Sequence, residues 1–341
     1  MEEERSLKLF LVEASVGLLA FLIILFAVER SGAFDFHLRE HTGKHRWSEF
    51  YETARIEKID ALIVGNSQSL AAVDCELLST QLDRNFFAIG HDLATISNVY
   101  WSVRHALNYA NPSTICVETK CFGFAAGLYE FKHAIESRKD LGFRKIDYSV
   151  LQATAELHGL SSIPFTLFGS SLSYPEMIET DPILTIKSIE KWGEPPTSSN
   201  TKLGFYNKYK ESIDEKLLAR YDSGESGRDY VDALPNSHDI EYMNRLVFLC
   251  KKRGITLLFF ETPYFQADQK NLENRQNTLR SFFYSQGLDW TTFWRSEDLT
   301  SNPTFYQNSL YNQHLTGEGA KAFTLRLAKL IKEKQLFASI E

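Results

Sequence analysis

The chain of 341 residues is 43% hydrophobic and 13% aromatic, which supplies enough apolar surface for a substantial core and excludes a disordered protein. Its formal net charge is -7 and its basic residues are scattered, so it offers no Lys/Arg face for a phosphate backbone and we expect no nucleic-acid partner. The four cysteines (Cys75, Cys116, Cys121 and Cys250) have neither C-x-x-C spacing nor the Cys/His clustering of a zinc site, so we expect structural thiols and no bound metal.

Residues 9–28 form an apolar run in which Glu13 is the one charged residue. At ~1.5 Å per residue, a helix of this length spans a hydrocarbon core of ~30 Å. We therefore predict a single-pass membrane anchor at residues 1–30. A signal peptide cleaved near residues 31–33 is the alternative, although its apolar part would exceed the usual length of roughly 7–15 residues. A buried core helix is a third option, and charged residues on both sides of the run leave its orientation open.

Residues 31–57 are polar and are predicted to form a juxtamembrane linker. Beyond them, apolar runs typical of buried strands alternate with helix-like segments. The predicted strands are 59–65, 85–90 and 113–118, and the predicted helices between them are 70–82 and 96–109. This alternation predicts an α/β fold with a doubly wound, flavodoxin-like parallel sheet, and residues 58–121 form its first part.

The α/β pattern stops between residues 122 and 236, which are rich in Phe, Tyr and Ser and contain a Pro-Pro pair. We predict that this segment is an insertion that caps one edge of the sheet, because loops of this size are usually functional. The pattern resumes in residues 237–341, the second part of the domain. There we predict helices at 238–253, 269–286 and 316–334 and a strand at 255–261, with Gly254 at a helix C-cap.

The turn at residues 65–69 (GNSQS) follows the first predicted strand and precedes a helix. Such a junction raises a side chain above the carboxyl edge of a parallel sheet, where a serine can attack a carbonyl group if a base is near. Ser67 is therefore a candidate nucleophile. A role as the N-cap of the following helix is the alternative, because serine is a preferred N-cap residue.

His314 lies in a polar loop that leads into the last predicted helix. A histidine at this place also lies at the carboxyl edge of the sheet, where its imidazole can accept the serine proton. A lone surface histidine is the alternative, but the combination with the serine turn favours a catalytic pair.

These motifs resemble the SGNH (GDSL-like) hydrolase superfamily, and more closely its membrane-anchored branch that modifies cell-surface polymers, such as the teichoic-acid D-alanylation and alginate O-acetylation proteins. The matching pieces are Gly65-x-Ser67-x-Ser69, Gly90 after the second strand, and His314-Leu315-Thr316-x-x-Gly319-Ala320 before the last helix. The resemblance extends over residues 58–334 without the insertion.

The resemblance implies that Ser67 is the nucleophile, that His314 is the base, and that the N–H groups of Ser67 and Gly90 belong to an oxyanion hole. An acyl-serine would form and pass its acyl group to water or to a sugar hydroxyl, without a metal or organic cofactor. The resemblance further implies an extracytoplasmic domain, a glycan or envelope polymer as substrate, and a membrane-bound O-acyltransferase as partner.

The sequence departs from the family pattern at two places. Tyr311 stands where the family has an Asp that orients the histidine, so a backbone carbonyl or Asp298 is expected to take this role. Where an oxyanion asparagine is expected after the third strand, the chain has Glu118 and Lys120. Lys120 could donate to an oxyanion, and Glu118 could repel it.

The departures favour an alternative function, a catalytically degenerate SGNH-like accessory or scaffold protein of a polysaccharide-modifying complex. A flavodoxin-like binding domain is a weaker alternative, because residues 65–69 lack a glycine-rich phosphate cradle. Two further groups are candidates. His91-Asp92 is a possible His/Asp pair, and the aromatic residues Trp290, Phe293 and Trp294 either contact a sugar or, as is more usual, pack in the core.

Overall fold

Five parallel strands form the central sheet in a computed structural model of the protein. These strands are β1 (Ala61–Gly65), β2 (Phe86–Gly90), β3 (Thr114–Glu118), β6 (Thr256–Glu261) and β7 (Trp290–Thr292). Their order across the sheet is β2-β1-β3-β6-β7, with all neighbours parallel. Two short strands that precede β6 in the chain, β4 (Thr201–Lys202) and β5 (Phe205–Tyr206), form an antiparallel hairpin. The order of the parallel strands is that of a flavodoxin-like doubly wound sheet, so the predicted fold class is confirmed.

Helices flank this sheet. They are α1 (Glu2–Arg30), α2 (Thr42–Ile56), α3 (Ser67–Ala72), α4 (Cys75–Leu82), α5 (Ile96–Ala106), α6 (Tyr148–His158), α7 (Glu215–Asp222), α8 (Ser237–Arg253), α9 (Leu272–Ser285), α10 (Glu297–Thr300) and α11 (Gly317–Glu333). Short 3-10 turns cover residues 119–121, 160–162 and 303–305. The structure describes residues 2–30, 42–122, 140–141, 144–164, 166–167, 201–206, 209–223, 235–265, 272–293, 296–309 and 314–337.

The central strands are buried on both faces. In β1, Leu62 and Val64 pack into one hydrophobic core with residues of α5 and α8, whereas Ala61 and Ile63 pack into a second core with residues of α4 and α11. Every residue of β1, β2 and β3 is therefore buried. This explains why these segments are continuous apolar runs rather than alternating ones.

Helix α1 contains the apolar run of the N-terminus. Within the described part of the chain it is the one helix long and apolar enough to cross a membrane, over Ser6–Ala27 (22 residues), and the core of that span is 0% buried. This length, composition and exposure suit a membrane anchor and also a signal sequence.

Part of the segment predicted as a polar linker, residues 42–56, forms α2 and packs against the domain. Trp47 and Phe50 of this helix are 1% and 0% exposed and belong to the core. Arg46 is also buried, and its guanidinium donates hydrogen bonds to the carbonyl oxygens of Gly90 and Gly204. A few large apolar side chains at helical spacing attach α2 to the core. The segment was predicted as a linker because its average composition is polar.

The β4–β5 hairpin, from the predicted insertion, lies at the outer edge of β2. The Ala88 N–H donates to the Leu203 carbonyl (2.9 Å), and the Glu49 carboxylate accepts from the N–H groups of Leu203 (2.6 Å) and Gly204 (3.3 Å). Gly204 has a φ of 79°, and a Cβ atom there would lie 1.9 Å from the Ala88 carbonyl oxygen. The turn therefore requires glycine, both for its backbone conformation and for its close approach to the sheet. The limits of the insertion, 122–236, stay a prediction.

Candidate active site

Ser67 is the first residue of α3, directly beyond the carboxyl end of β1. The N-cap of α3 is Asn66, whose side-chain oxygen accepts from the Gln68 N–H (2.9 Å). Because the capping role falls to Asn66 rather than to Ser67, the serine hydroxyl is not needed to complete the helix.

The side chain of His314 contacts that of Ser67. The imidazole Nε2 lies 2.9 Å from Ser67 Oγ, although 247 residues separate the two in the chain. His314 is 1% exposed, and its carbonyl oxygen accepts from the Gln307 N–H (2.9 Å). Two residues later Thr316 caps α11, with its hydroxyl near the Gly319 N–H (3.3 Å). The structure thus brings together the two residues expected as nucleophile and base, at a distance suited to proton transfer.

Tyr209 covers the imidazole from one side. The centroids of the Tyr209 and His314 rings are 4.4 Å apart and their planes are inclined by 16°, which is a stacked arrangement. Sequence reasoning missed this residue, because it lies in the predicted insertion, outside every recognised motif. Its place at the site depends on a tertiary contact between segments far apart in the chain.

Gly90 lies next to the serine turn. It pairs with Gly65 in the register between β2 and β1. A Cβ atom on Gly90 would lie 2.2 Å from the Gly65 carbonyl oxygen, and one on Gly65 would lie 2.8 Å from Ser69 Oγ and 2.9 Å from Glu118 Cβ. Both positions therefore require glycine because of close approach rather than because of a positive φ. The assignment of the Ser67 and Gly90 N–H groups to an oxyanion hole stays a prediction.

Asp298, which was expected to orient His314, lies in α10. Its carboxylate is 58% exposed and forms an ion pair with Arg326, which lies about two and a half turns into α11, away from the end of the helix that follows His314. The structure therefore pairs Asp298 with an arginine of α11, and its expected role as the acid that orients His314 stays a prediction. Tyr311 lies outside the described residues.

Glu118 is a buried carboxyl group at the end of β3, against Gly65. It accepts hydrogen bonds from the Lys120 N–H (3.0 Å) and the Thr262 hydroxyl (3.1 Å). Burial raises the pKa of Glu118 to about 7, and the nearby charge of Lys120 opposes this shift. The ammonium group of Lys120 contacts the Pro263 carbonyl (3.4 Å) and lies 3.7 Å from the centroid of the Tyr264 ring. The expected effects of Lys120 and Glu118 on an oxyanion stay predictions.

A buried ion pair lies at the ends of β3 and β6. Arg275 Nε donates to Glu261 Oε1 (3.1 Å), and both side chains are at most 2% exposed. Arg275 also donates to the Thr119 carbonyl (3.3 Å), so it connects the ends of β3 and β6. Gln276 donates a further hydrogen bond to Glu261.

The remaining candidates have structural contacts. His91 Nδ1 contacts the main-chain oxygen of Asp92 (2.8 Å) rather than its carboxylate, and burial lowers the pKa of His91. The Trp290 ring stacks on Phe283, and Phe293 packs edge-on in the core. Trp294 lies outside the described residues.

The four cysteines (Cys75, Cys116, Cys121 and Cys250) are free and buried. Burial raises the pKa of Cys116 to about 12, which keeps its thiol protonated. No group of three or more His, Cys, Asp or Glu residues in the described ranges is arranged to hold a metal ion.

Comparison with known proteins gives little sequence similarity. No protein-family model and no curated protein matches the chain. Among solved structures, a GDSL-like lipase from Bacteroides thetaiotaomicron VPI-5482 matches with a TM-score of 0.37 and 11% sequence identity, over 86% of this chain and 98% of that chain. At this low identity and TM-score, function has to be inferred from the site.

The site combines a half-buried serine hydroxyl, a buried imidazole in contact with it, and two glycines that bring backbone close to the same point. A hydroxyl group in contact with a base is the minimal requirement for nucleophilic attack on a carbonyl carbon. Acyl transfer is the chemistry that this arrangement suits.

Proposed function

We propose that the protein is an SGNH-type acyl-ester transferase or esterase in which Ser67 is the nucleophile and His314 is the general base. The observation that carries the proposal is the 2.9 Å contact between His314 Nε2 and Ser67 Oγ. The burial of the imidazole supports it, because a base shielded from water keeps its orientation toward the serine.

The proposed reaction has two halves. His314 Nε2 accepts the Ser67 proton as Oγ bonds to the ester carbonyl carbon, and the proton then passes to the departing alcohol as the acyl-serine forms. In the second half His314 takes a proton from water or a sugar hydroxyl, whose oxygen attacks the acyl-serine, and Ser67 regains its proton as the acyl group leaves. The N–H groups of Ser67 and Gly90 are assigned to the oxyanion of both tetrahedral intermediates.

The proposed setting is the outer face of a membrane. The apolar helix Ser6–Ala27 supports an N-terminal anchor, and the resemblance of the motifs at residues 65–69, 90 and 314–320 to membrane-anchored SGNH proteins supports a glycan or envelope polymer as the acyl acceptor. On the same basis, a membrane-bound O-acyltransferase is the proposed partner that supplies acyl groups.

Fluorophosphonate labelling of the full-length protein in detergent tests the assignment of Ser67. We expect covalent labelling of wild type and none of Ser67→Ala, because the reagent reacts with an activated serine. His314→Ala should label roughly 100- to 10,000-fold more slowly, which is the usual contribution of a general base. The matched control is Ser223→Ala, an exposed serine of the cap following α7, which should label like wild type. Labelling of folded protein that persists in Ser67→Ala, or is absent from wild type, would refute the proposal.

The second candidate function is that of a degenerate accessory or scaffold protein in a polysaccharide-modifying complex. Tyr311, in the place of the family's Asp, favours it. Acylation of the envelope polymer in cells that produce the protein distinguishes the two functions. An accessory role predicts that deletion of the protein abolishes this acylation, whereas Ser67→Ala and His314→Ala leave it intact. An enzymatic role predicts that both substitutions act like the deletion.

A further inference from the structure

The stacked contact of Tyr209 with His314 involves the residue proposed as the base. The two rings lie nearly parallel at a centroid distance of 4.4 Å, so the tyrosine face covers one side of the imidazole. Nε2, at the edge of the same ring, points to Ser67 Oγ. An aromatic ring on its face therefore restricts the imidazole without occupying the nitrogen that faces the serine.

The backbone on the N-terminal side of Tyr209 is attached to the sheet. The β4–β5 hairpin that precedes it is connected to β2 by the hydrogen bond from Ala88 to Leu203, and Arg46 of α2 donates to Gly204. These contacts fix the start of the segment close to the carboxyl end of β2.

The backbone on the C-terminal side of Tyr209 is attached to the segment that leads to His314. An antiparallel bridge joins Ser212 to Gln307, and the Ile213 N–H donates to the Tyr306 carbonyl (3.0 Å). Tyr306 in turn forms a bridge with Leu315, the neighbour of His314. The two rings are thus carried by segments that are hydrogen-bonded to each other, which makes their stacking a property of the fold rather than of two independent side chains.

A parallel aromatic ring has two effects on an imidazole. It blocks rotation of the imidazole out of its plane, and its negative face attracts the cation that forms when the imidazole takes up a proton. In a serine–histidine site, an acid usually performs both tasks, orientation and stabilisation of the cation. In the sequence Tyr311 stands where the family has that acid, and the Asp298 carboxylate pairs with Arg326.

We propose that Tyr209 is a positioning residue that holds the His314 imidazole toward Ser67 and stabilises the imidazolium that forms when Ser67 attacks. This proposal rests on the proposed function of Ser67 and His314. It assigns a residue of the insertion to the site, so that the site is complete when the segment around Tyr209 is docked on the sheet.

Three variants of the full-length protein in detergent test the proposal by their rates of fluorophosphonate labelling. Tyr209→Phe keeps the ring, and we expect it to label within about twofold of wild type, whereas Tyr209→Leu should label roughly 2- to 30-fold more slowly than Tyr209→Phe, the range of a cation–π contact. The matched control is Tyr284→Leu, at a tyrosine that is 86% exposed, which should label like wild type. Equal rates for Tyr209→Leu and wild type overturn the proposal. So does an equal loss in Tyr209→Phe and Tyr209→Leu, because the hydroxyl rather than the ring would then matter.

A spectroscopic measurement keeps the proposal separate from the proposed function. In protein with isotope-labelled histidine, the ring-proton signals of His314, assigned by their loss in His314→Ala, should lie upfield because of the tyrosine ring current. They should keep that position in Tyr209→Phe and move downfield in Tyr209→Leu. Signals that do not respond to Tyr209→Leu overturn the positioning role. If wild type shows the upfield signals but no labelling of Ser67, the proposed function fails while the stacking stands.

Discussion

Replacement of Gly90 by alanine should destabilise the protein at the point where β1 and β2 meet the serine turn. The added Cβ would lie 2.2 Å from the Gly65 carbonyl oxygen, about 1 Å inside ordinary contact, so the strands would have to part beyond their usual separation of about 4.7–4.9 Å. Overpacking of this kind costs about 1–3 kcal/mol, and a weakened hydrogen bond at the strand ends adds about 1 kcal/mol. We therefore expect the free energy of unfolding to fall by about 2–4 kcal/mol.

The same displacement should affect the site, because the peptide at Gly90 lies beside the turn that carries Ser67. Fluorophosphonate labelling of Gly90→Ala should therefore be slower than that of wild type at temperatures where the variant is folded. The matched control is Gly254→Ala. Gly254 caps α8 with a φ of 68°, and a Cβ atom added there would meet open space, with no contact within 4 Å. Alanine at this position therefore costs only backbone strain of about 1–2 kcal/mol.

Thermal unfolding of the full-length protein in detergent, followed by tryptophan fluorescence, measures the difference. The expected loss for Gly90→Ala corresponds to a fall in Tm of roughly 3–6 °C, because a domain of about 300 residues gains about 0.6 kcal/mol/K of entropy on unfolding. If Gly90→Ala melts no lower than Gly254→Ala and labels at the wild-type rate, the close approach of the two strand ends affects neither stability nor the site, and the prediction is wrong.

Two further predictions concern ionisable side chains of the domain. Because the native Glu118 carboxyl has a pKa raised to about 7, it holds its proton more tightly than in the unfolded chain, and wild type should lose stability as the pH rises from about 5 to 7. Glu118→Gln removes this titration, so the free energy of unfolding of the variant should not fall for this reason. Measured by urea unfolding, the difference between variant and wild type should therefore move by about 3 kcal/mol in favour of the variant from pH 5 to pH 8. A difference that is the same at both pH values contradicts the prediction. Arg275→Leu deprives the buried Glu261 of its cation and should cost about 3–5 kcal/mol, whereas Arg326→Leu, which breaks an exposed pair, should cost at most about 1 kcal/mol. Equal losses in the two variants would show that burial does not govern these pairs.

The parallel sheet was predictable because its central strands are covered on both faces. Segments such as Ala61–Gly65 and Phe86–Gly90 are buried throughout, which leaves a continuous apolar signal in the sequence. The helix predicted at 70–82 is instead two helices, α3 and α4, because the Asp74 side chain accepts from the Leu77 N–H (3.0 Å) and starts a new helix. Strand β7, which has three half-buried residues at the sheet edge, was not predicted, since so short a segment leaves no periodic pattern.

Ser67 and His314 were predictable as a pair because each lies in a local motif at the junction of a loop and a helix. Tyr209 was not, because its role depends on where a hairpin docks, and docking is decided by contacts such as that of Arg46 with Gly204. Arg46 itself lies in a helix whose polar composition indicated a linker. Residues that lie in local motifs could therefore be predicted from the sequence. Residues that contact the site through long-range packing, such as Tyr209, could not.

The separation of 247 residues between Ser67 and His314 also has a consequence for the biosynthesis of the protein. At a translation rate of about 5–20 residues per second, the serine emerges from the ribosome roughly 10–50 s before the histidine. During that interval the nascent chain carries the proposed nucleophile without its proposed base, and Tyr209 emerges in between. On the proposed function, Ser67 has no base to activate it until the segment with His314 has been synthesised and has packed beside it.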